Sequence, residues 1–166
     1  MDKRILITGG SGLVGSALTK LLLKQGYEIA WLSRSGKRVD GVKGFKWDVN
    51  KQYIEPEALT YANTIIHLAG EGIANKRWTK KQREKIINSR VESAELLRTS
   101  CVKNNINVAT FISASGAGYY GYHNGDVSLH EDYPAGEDFV AQVVVAWEKA
   151  ADQFEELNAR VVKLRT

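Results

Sequence analysis

The sequence predicts an α/β fold, a doubly wound parallel sheet of about six strands with helices on both faces. Three observations carry this expectation. Short runs of consecutive apolar residues recur along the chain, as strands buried on both faces require. Between them lie stretches with apolar residues at helical spacing. No repeat, low-complexity linker or domain boundary breaks the alternation, so 1–166 reads as one domain.

In chain order, residues 4–7 form the first strand, flanked by Lys3 and Thr8. Residues 13–25 form a helix carrying Leu13, Val14, Ala17, Leu18, Leu21 and Leu22 at helical spacing, with Gly26 as its C-cap. Residues 28–32 make the second strand, 44–47 a shorter third, and 64–68 (Thr-Ile-Ile-His-Leu) the fourth. A long helix over 79–104 starts from Thr79 as N-cap. Residues 108–113 give the fifth strand. Residues 139–157 give a helix with Val140, Val143, Val144, Trp147, Ala150, Ala151, Phe154 and Leu157 on its apolar face. Residues 160–164 close the sheet as the sixth strand, in the expected order 3-2-1-4-5-6.

Composition narrows the function class. A chain of 166 residues, 43% hydrophobic and 25% charged, buries a real core and is neither disordered nor collagen-like. One cysteine forms no internal disulfide, no Cys/His spacing suggests a metal, and residues 1–10 carry no signal pattern. No apolar run approaches the ~20 residues of a membrane span. A cytoplasmic location is therefore expected, with no membrane partner. The net charge of +4 suits an anionic small ligand as well as nucleic acid.

The strongest chemical signal is Thr8-Gly9-Gly10-Ser11-Gly12-Leu13-Val14-Gly15, between the first strand and the first helix. In a Rossmann dinucleotide site Gly9 permits the tight turn, Gly12 lets the backbone approach a pyrophosphate, and Gly15 lets the helix pack closely. The helix N-terminus then offers amides and partial positive charge to the phosphates. The competing reading is a glycine-rich turn without a ligand. The second strand ends Trp31-Leu32-Ser33-Arg34-Ser35, without an acid, and Lys37 and Arg38 follow. NAD sites place Asp or Glu there for the ribose hydroxyls, whereas Arg accommodates a 2′-phosphate. Arg34 with Ser33 and Ser35 therefore predicts NADP(H) as preferred, with NAD(H) possible; the alternative is a solvated basic loop.

Glycines at 9, 12 and 15 resemble those of the extended and atypical short-chain dehydrogenase/reductases. The segments 70–79 (Gly-Glu-Gly-Ile-Ala-Asn-Lys-Arg-Trp-Thr), 88–91 (Asn-Ser-Arg-Val), 111–121 (Phe-Ile-Ser-Ala-Ser-Gly-Ala-Gly-Tyr-Tyr-Gly) and Trp147-Glu148 resemble the NAD(P)-dependent epimerase-like subfamily, often called nucleoside-diphosphate-sugar epimerase-like. The resemblance runs through nearly the whole chain. It implies that Asp48, just after the third strand, reaches the adenine, and that Leu68-Ala69-Gly70 and Ser113 border the cofactor. Members run to about twice this length, so the chain is expected to be an N-terminal portion whose substrate lobe lies beyond Thr166. An exposed sheet edge would then favour homo-oligomers.

The usual Tyr/Lys acid-base pair, four residues apart on a helix, is absent. Four residues beyond the seven tyrosines stand Trp31, Glu57, Ile65, His123, Asn124, Asp126 and Glu137. Aligned on Trp147-Glu148, the pair's places hold Val140 and Val144. The resemblance leaves Ser115 as a substrate-orienting serine, with Tyr119 or Tyr120 facing the nicotinamide as catalytic phenols, or else forming an aromatic lid. Ser89, or Asn88 beside it, falls near a relay asparagine. His67, inside an apolar run, reads as an inward strand residue. The basic stretch 76–90 reads as a solvated face, with Lys76, Arg77 and Arg90 as candidate contacts to an anionic small-molecule substrate; nucleic acid is not expected. Two functions stand: an NADP(H)-binding oxidoreductase or epimerase-like enzyme acting on a sugar-like or carbonyl substrate, and an NADPH-binding sensor or scaffold without turnover.

Overall fold

The computed structural model describes every residue except 1, 2, 38, 40, 75, 123–125 and 127, so Arg38 and Asn75 lie outside the described residues. Seven strands form one sheet: β1 (Arg4–Thr8), β2 (Glu28–Ser33), β3 (Val42–Asp48), β4 (Tyr53–Ile54), β5 (Thr64–His67), β6 (Thr110–Ser115) and β7 (Arg160–Arg165). Their order is β4-β3-β2-β1-β5-β6-β7. All neighbours pair in parallel except β3 with β4. The helices are α1 (Leu13–Lys24), α2 (Pro56–Leu59), α3 (Lys80–Lys103) and α4 (Phe139–Asp152).

The core divides between the two sheet faces. Ile5 and Ile7 of β1 pack with Ile29, Trp31 and Ile66 under Leu18 and Leu22 of α1. Leu6, between them, points to the other face and joins Phe45, Ile65, Phe111, Leu97 of α3 and Ala151 of α4. This two-faced burial of consecutive residues is why the parallel strands read as continuous apolar runs.

The six expected parallel strands are present in the expected order, and a seventh, β4, is added because Tyr53 and Ile54 pair antiparallel with Asp48 and Trp47; two residues are too few to show a period. Three expectations are corrected. β3 starts at Val42 rather than at residue 44, and Asp48 is its last residue rather than following it. Its sequence VKGFKWD interleaves buried positions with exposed and half-buried ones, so a search for continuous apolar runs catches only part of it. The last helix ends at Asp152 and tightens into a 3₁₀ turn over Gln153–Leu157, closed by Asn158 at φ +57°. The leucines of α1 are not its fully buried face: Leu13 is 91% exposed, whereas Gly15 and Thr19 are buried. A Cβ on Gly15 would lie 2.4 Å from the Gly9 carbonyl oxygen, so α1 seats through small residues close to the loop.

Candidate functional site

The carboxyl ends of the parallel strands open onto a cleft of about 710 Å³. Ligand sites in open α/β sheets lie in this position, outside the strand ends. The cleft gathers Gly9, Ser11 and Gly12 from the glycine loop, Ser33 at the end of β2 with Arg34 just after it, Asp48 at the end of β3, and Leu68, Ala69 and Gly70 after β5. Sequence positions spread over more than 60 residues are thus brought to one wall, with α3 forming another.

The loop is built as its glycines require. Gly9 has φ +70°, and a Cβ there would lie 2.8 Å from the Leu68 carbonyl carbon. Gly12 donates its N–H to the Gly9 carbonyl at 3.0 Å, and a Cβ on it would meet only that oxygen, at 3.2 Å. No side chain caps α1. Leu13 and Val14 are exposed at its first turn, and neither they nor Gly15 line the cleft. Gly10 also faces away from it. A Cβ on Gly10 would fall 2.3 Å from the indole nitrogen of Trp31, whose N–H donates to Thr19 Oγ1 at 2.9 Å. Thr19 donates in turn to the Gly15 carbonyl at 2.7 Å, so β2 braces the loop from beneath.

At the end of β2, Ser33 Oγ accepts the Gly36 N–H at 3.0 Å, and Ser35 Oγ accepts the Lys37 N–H at 3.3 Å. Arg34 is exposed. Ser35 is outside the cleft lining. Asp48 Oδ1 accepts the Lys51 N–H at 3.1 Å.

Behind the turn after β5, His67 is fully buried. Thr8 Oγ1 accepts the N–H groups of Leu68 and Ala69, each at 3.2 Å, and lies 2.8 Å from His67 Nδ1. The Thr8 proton therefore goes to Nδ1, and Nε2–H donates to Ser93 Oγ at 3.1 Å. Ser93 passes its own proton to the Arg90 carbonyl at 3.1 Å. Burial lowers the imidazole pKa to about 4, so His67 is a neutral strut, as an inward strand residue should be.

The expected catalytic group is held differently from the expectation. Ser115 is buried and donates its hydroxyl to Glu148 Oε1 at 2.5 Å. Arg165 forks onto the same carboxylate, Nε to Oε1 at 2.8 Å and Nη2 to Oε2 at 2.9 Å. Burial by itself would raise the Glu148 pKa, but hydrogen bonds from Arg165 and Ser115 outweigh it and hold the carboxyl below its usual range. Arg165 Nη1 also donates to the Tyr120 hydroxyl at 3.0 Å, and the guanidinium lies 3.5 Å from the Tyr119 ring centroid. Tyr119 and Tyr120 sit in a 3₁₀ turn, Ala117–Tyr120, with Tyr120 buried. Ser113 is buried and donates to the Ala114 carbonyl at 2.9 Å. None of Ser113, Ser115, Tyr119 and Tyr120 lines the cleft that holds the glycine loop.

The basic stretch is also corrected. Arg90 does not stand on the solvated face and does not line the cleft. It is buried over the Trp147 ring at 4.8 Å, and Nη1 donates to the carbonyls of Glu71 at 3.0 Å and Ile86 at 2.9 Å. Ser89 accepts the Glu71 N–H at 2.9 Å. Lys76 and Arg77 are exposed outside the cleft, whereas Lys81, Lys85 and Asn88 line it. Trp78 is engaged edge-on with Phe139 at 5.1 Å rather than standing as an open platform for bases.

Sequence reasoning missed Trp31, the Glu148–Arg165 pair and the lysines of α3. Glu148 had a readable signal: a lone carboxylate beside Trp147 on an otherwise apolar face demands a buried partner. Arg165 sits 17 positions later, on another element.

Comparison with known proteins agrees with this fold. The model of the NAD dependent epimerase/dehydratase family matches residues 5–163. Epimerase family protein Mb2239 of Mycobacterium bovis is 34% identical over 162 residues, which cover 98% of this chain and 52% of that protein. The solved nucleoside-diphosphate sugar epimerase of Corynebacterium glutamicum superposes with a TM-score of 0.77 at 33% identity, over 98% of this chain and 33% of that one. Human epimerase family protein SDR39U1, solved with NADPH, gives 0.75 at 29% identity, over 98% and 52%. The chain thus spans about half the length of the curated relatives it matches. Among the described residues no helix is long and apolar enough to cross a membrane.

Proposed function

The chain belongs to the NAD dependent epimerase/dehydratase family, and from that premise we propose that residues 1–166 form an NAD(P)-binding domain preferring NADP(H) to NAD(H). The residues present fit such a ligand. The uncapped N-terminus of α1 leaves first-turn amides for a diphosphate, and Gly12 adds no side chain where that group must approach. Leu68, Ala69 and Gly70 give a second small-residue border, and Asp48 lies on the side proposed for the adenine.

One observation carries the preference: Arg34 stands exposed at the cleft after β2, and no carboxylate occupies Ser33, Arg34 or Ser35 to receive ribose hydroxyls. A guanidinium forks onto a 2′-phosphate with two charge-assisted hydrogen bonds. The NADPH in the human relative's structure supports the same choice. Calorimetric titration of the wild type and Arg34→Ala with both nucleotides tests it. The variant should lose ~10-fold or more in NADPH affinity and little for NADH; equal losses refute the phosphate role.

When bound, the nicotinamide supplies hydride transfer at its C4. The substrate we propose is a sugar-like molecule reacting at a carbinol or carbonyl carbon, which the likeness to the corynebacterial sugar-nucleotide epimerase supports. Of the groups expected to polarise its oxygen, Ser115 gives its proton to Glu148 and the Tyr120 oxygen accepts from Arg165. Tyr119 is engaged through its ring, which leaves its phenol as the better candidate. The same network favours a second reading, an NADPH-binding protein without turnover, because two of the three hydroxyls are committed and Val140 and Val144 stand where the acid-base pair belongs. Nicotinamide fluorescence during NADPH binding, followed by assay for its oxidation with sugar nucleotides and small carbonyl compounds, separates the two.

A further inference from the structure

The wall of the cleft contributed by α3 carries an ion pair that the reading above does not use. Lys81, Lys85, Asn88 and Glu92 recur at three- and four-residue spacing, so one face of α3 lines the cleft. Glu71 faces them with its backbone fixed: its N–H donates to Ser89 Oγ at 2.9 Å, and its carbonyl accepts Arg90 Nη1 at 3.0 Å. Among the described residues its side chain pairs with two exposed cations, Lys85 at 3.2 Å and Lys76 at 3.9 Å, and Gln82 adds a hydrogen bond. The Lys85 side chain is 56% exposed, so the pair is one that solvent and salt weaken.

Position gives this pair its meaning. Glu71 follows the Leu68-Ala69-Gly70 turn, and that turn lies so close to Gly9 that an added Cβ would reach the Leu68 carbonyl. Glu71 thus lines the same cleft as Gly9, Ser11 and Gly12, where a diphosphate is to settle. The Lys85 hydrogen bond keeps Glu71 below its ordinary pKa and therefore charged at neutral pH. A fixed anion beside an anion site opposes the ligand unless a cation can change partners. Arg90 cannot, since it is buried and tied to two carbonyls; Lys85 can.

Resting on the dinucleotide reading, we propose that Glu71 and Lys85 form an exchangeable ion pair in which Glu71 is a resident competitor for the ligand's diphosphate. Lys85 leaves Glu71 for the phosphates as the nucleotide enters. Because the diphosphate is common to both dinucleotides and to ADP, the pair sets overall affinity and salt dependence, while Arg34 sets the choice between NADPH and NADH.

The test is calorimetry of NADPH, NADH and ADP on the wild type, Glu71→Gln and Lys85→Met at several salt concentrations. Circular dichroism confirms that each variant is folded. Glu71→Gln should tighten all three ligands about threefold, and Lys85→Met should weaken all three about tenfold with a shallower salt slope. Weaker binding by Glu71→Gln overturns the proposal, because the carboxylate would then hold the ligand itself. Unchanged affinities for Lys85→Met also overturn it and leave only a surface pair. If the wild type binds none of the three, the dinucleotide reading falls and takes the pair with it; if it binds all three as the variants do, only the exchange is lost.

Discussion

Acidification should expose the neutral strut beneath the cleft. His67 has its usual pKa of 6.5 lowered to about 4, mainly by burial, with the hydrogen-bonding surroundings and charge of Arg90 as further influences. The unfolded chain therefore binds the proton more readily, and stability rises with pH between those values. The contribution of neutral His67 is complete above about pH 6.5 and is lost as pH falls toward 4. At about pH 4.5 the linkage relation gives a loss of roughly 2.5 kcal/mol from this one group. Carboxylates titrate in the same range, so the quantity to measure is a difference. Urea unfolding followed by far-ultraviolet circular dichroism, on the wild type and His67→Gln, should show the wild type ahead at neutral pH. Its lead should shrink by about that amount on acidification. A lead that stays constant to within ~0.5 kcal/mol across the range refutes the assignment of a buried neutral imidazole.

Gly10→Ala drives a methyl into the Trp31 indole and should cost roughly 1–3 kcal/mol in urea unfolding. Gly12→Ala should unfold near the wild-type midpoint yet bind NADPH more weakly, and the reverse pattern would contradict the loop assignment. Glu148→Ala removes the acceptor of Ser115 and leaves Arg165 without its carboxylate, for a loss of about 3 kcal/mol at neutral pH. Since the Glu148 pKa is held down in the folded state, its contribution is present above the usual carboxylate range and lost below it. The gap between wild type and Glu148→Ala should accordingly narrow in acid. Tyr119→Phe should leave NADPH affinity unchanged and abolish any oxidation that the sugar-nucleotide assay detects; retained turnover removes Tyr119 from the reaction.

The parallel strands and the glycine loop were legible because both are local signals: apolar runs of strand length, and a motif whose context lies within a dozen residues. β4 was not, since Tyr53 and Ile54 become a strand only by pairing with β3. The exposure of Leu13 was hidden because apolar spacing cannot tell which residues a close helix approach excludes. The placement of Gly9, Ser33, Arg34, Asp48 and Gly70 on one cleft follows from the topology. The commitment of Ser115 to Glu148 does not, because the link joins β6 to α4 across 33 positions through side chains alone. Arg90 likewise looked like one more cation in a basic run until its burial against Trp147 set it apart.

The brace under the glycine loop has an optical consequence. Of the four indoles, Trp31 lies directly behind Gly10, and Trp47 forms part of the cleft wall. Two native fluorophores therefore flank the place where a nucleotide is to be seated, and the chain can report occupancy through its own emission without an attached dye. Replacing Trp31 with Phe would separate the loop's share of that signal from the wall's.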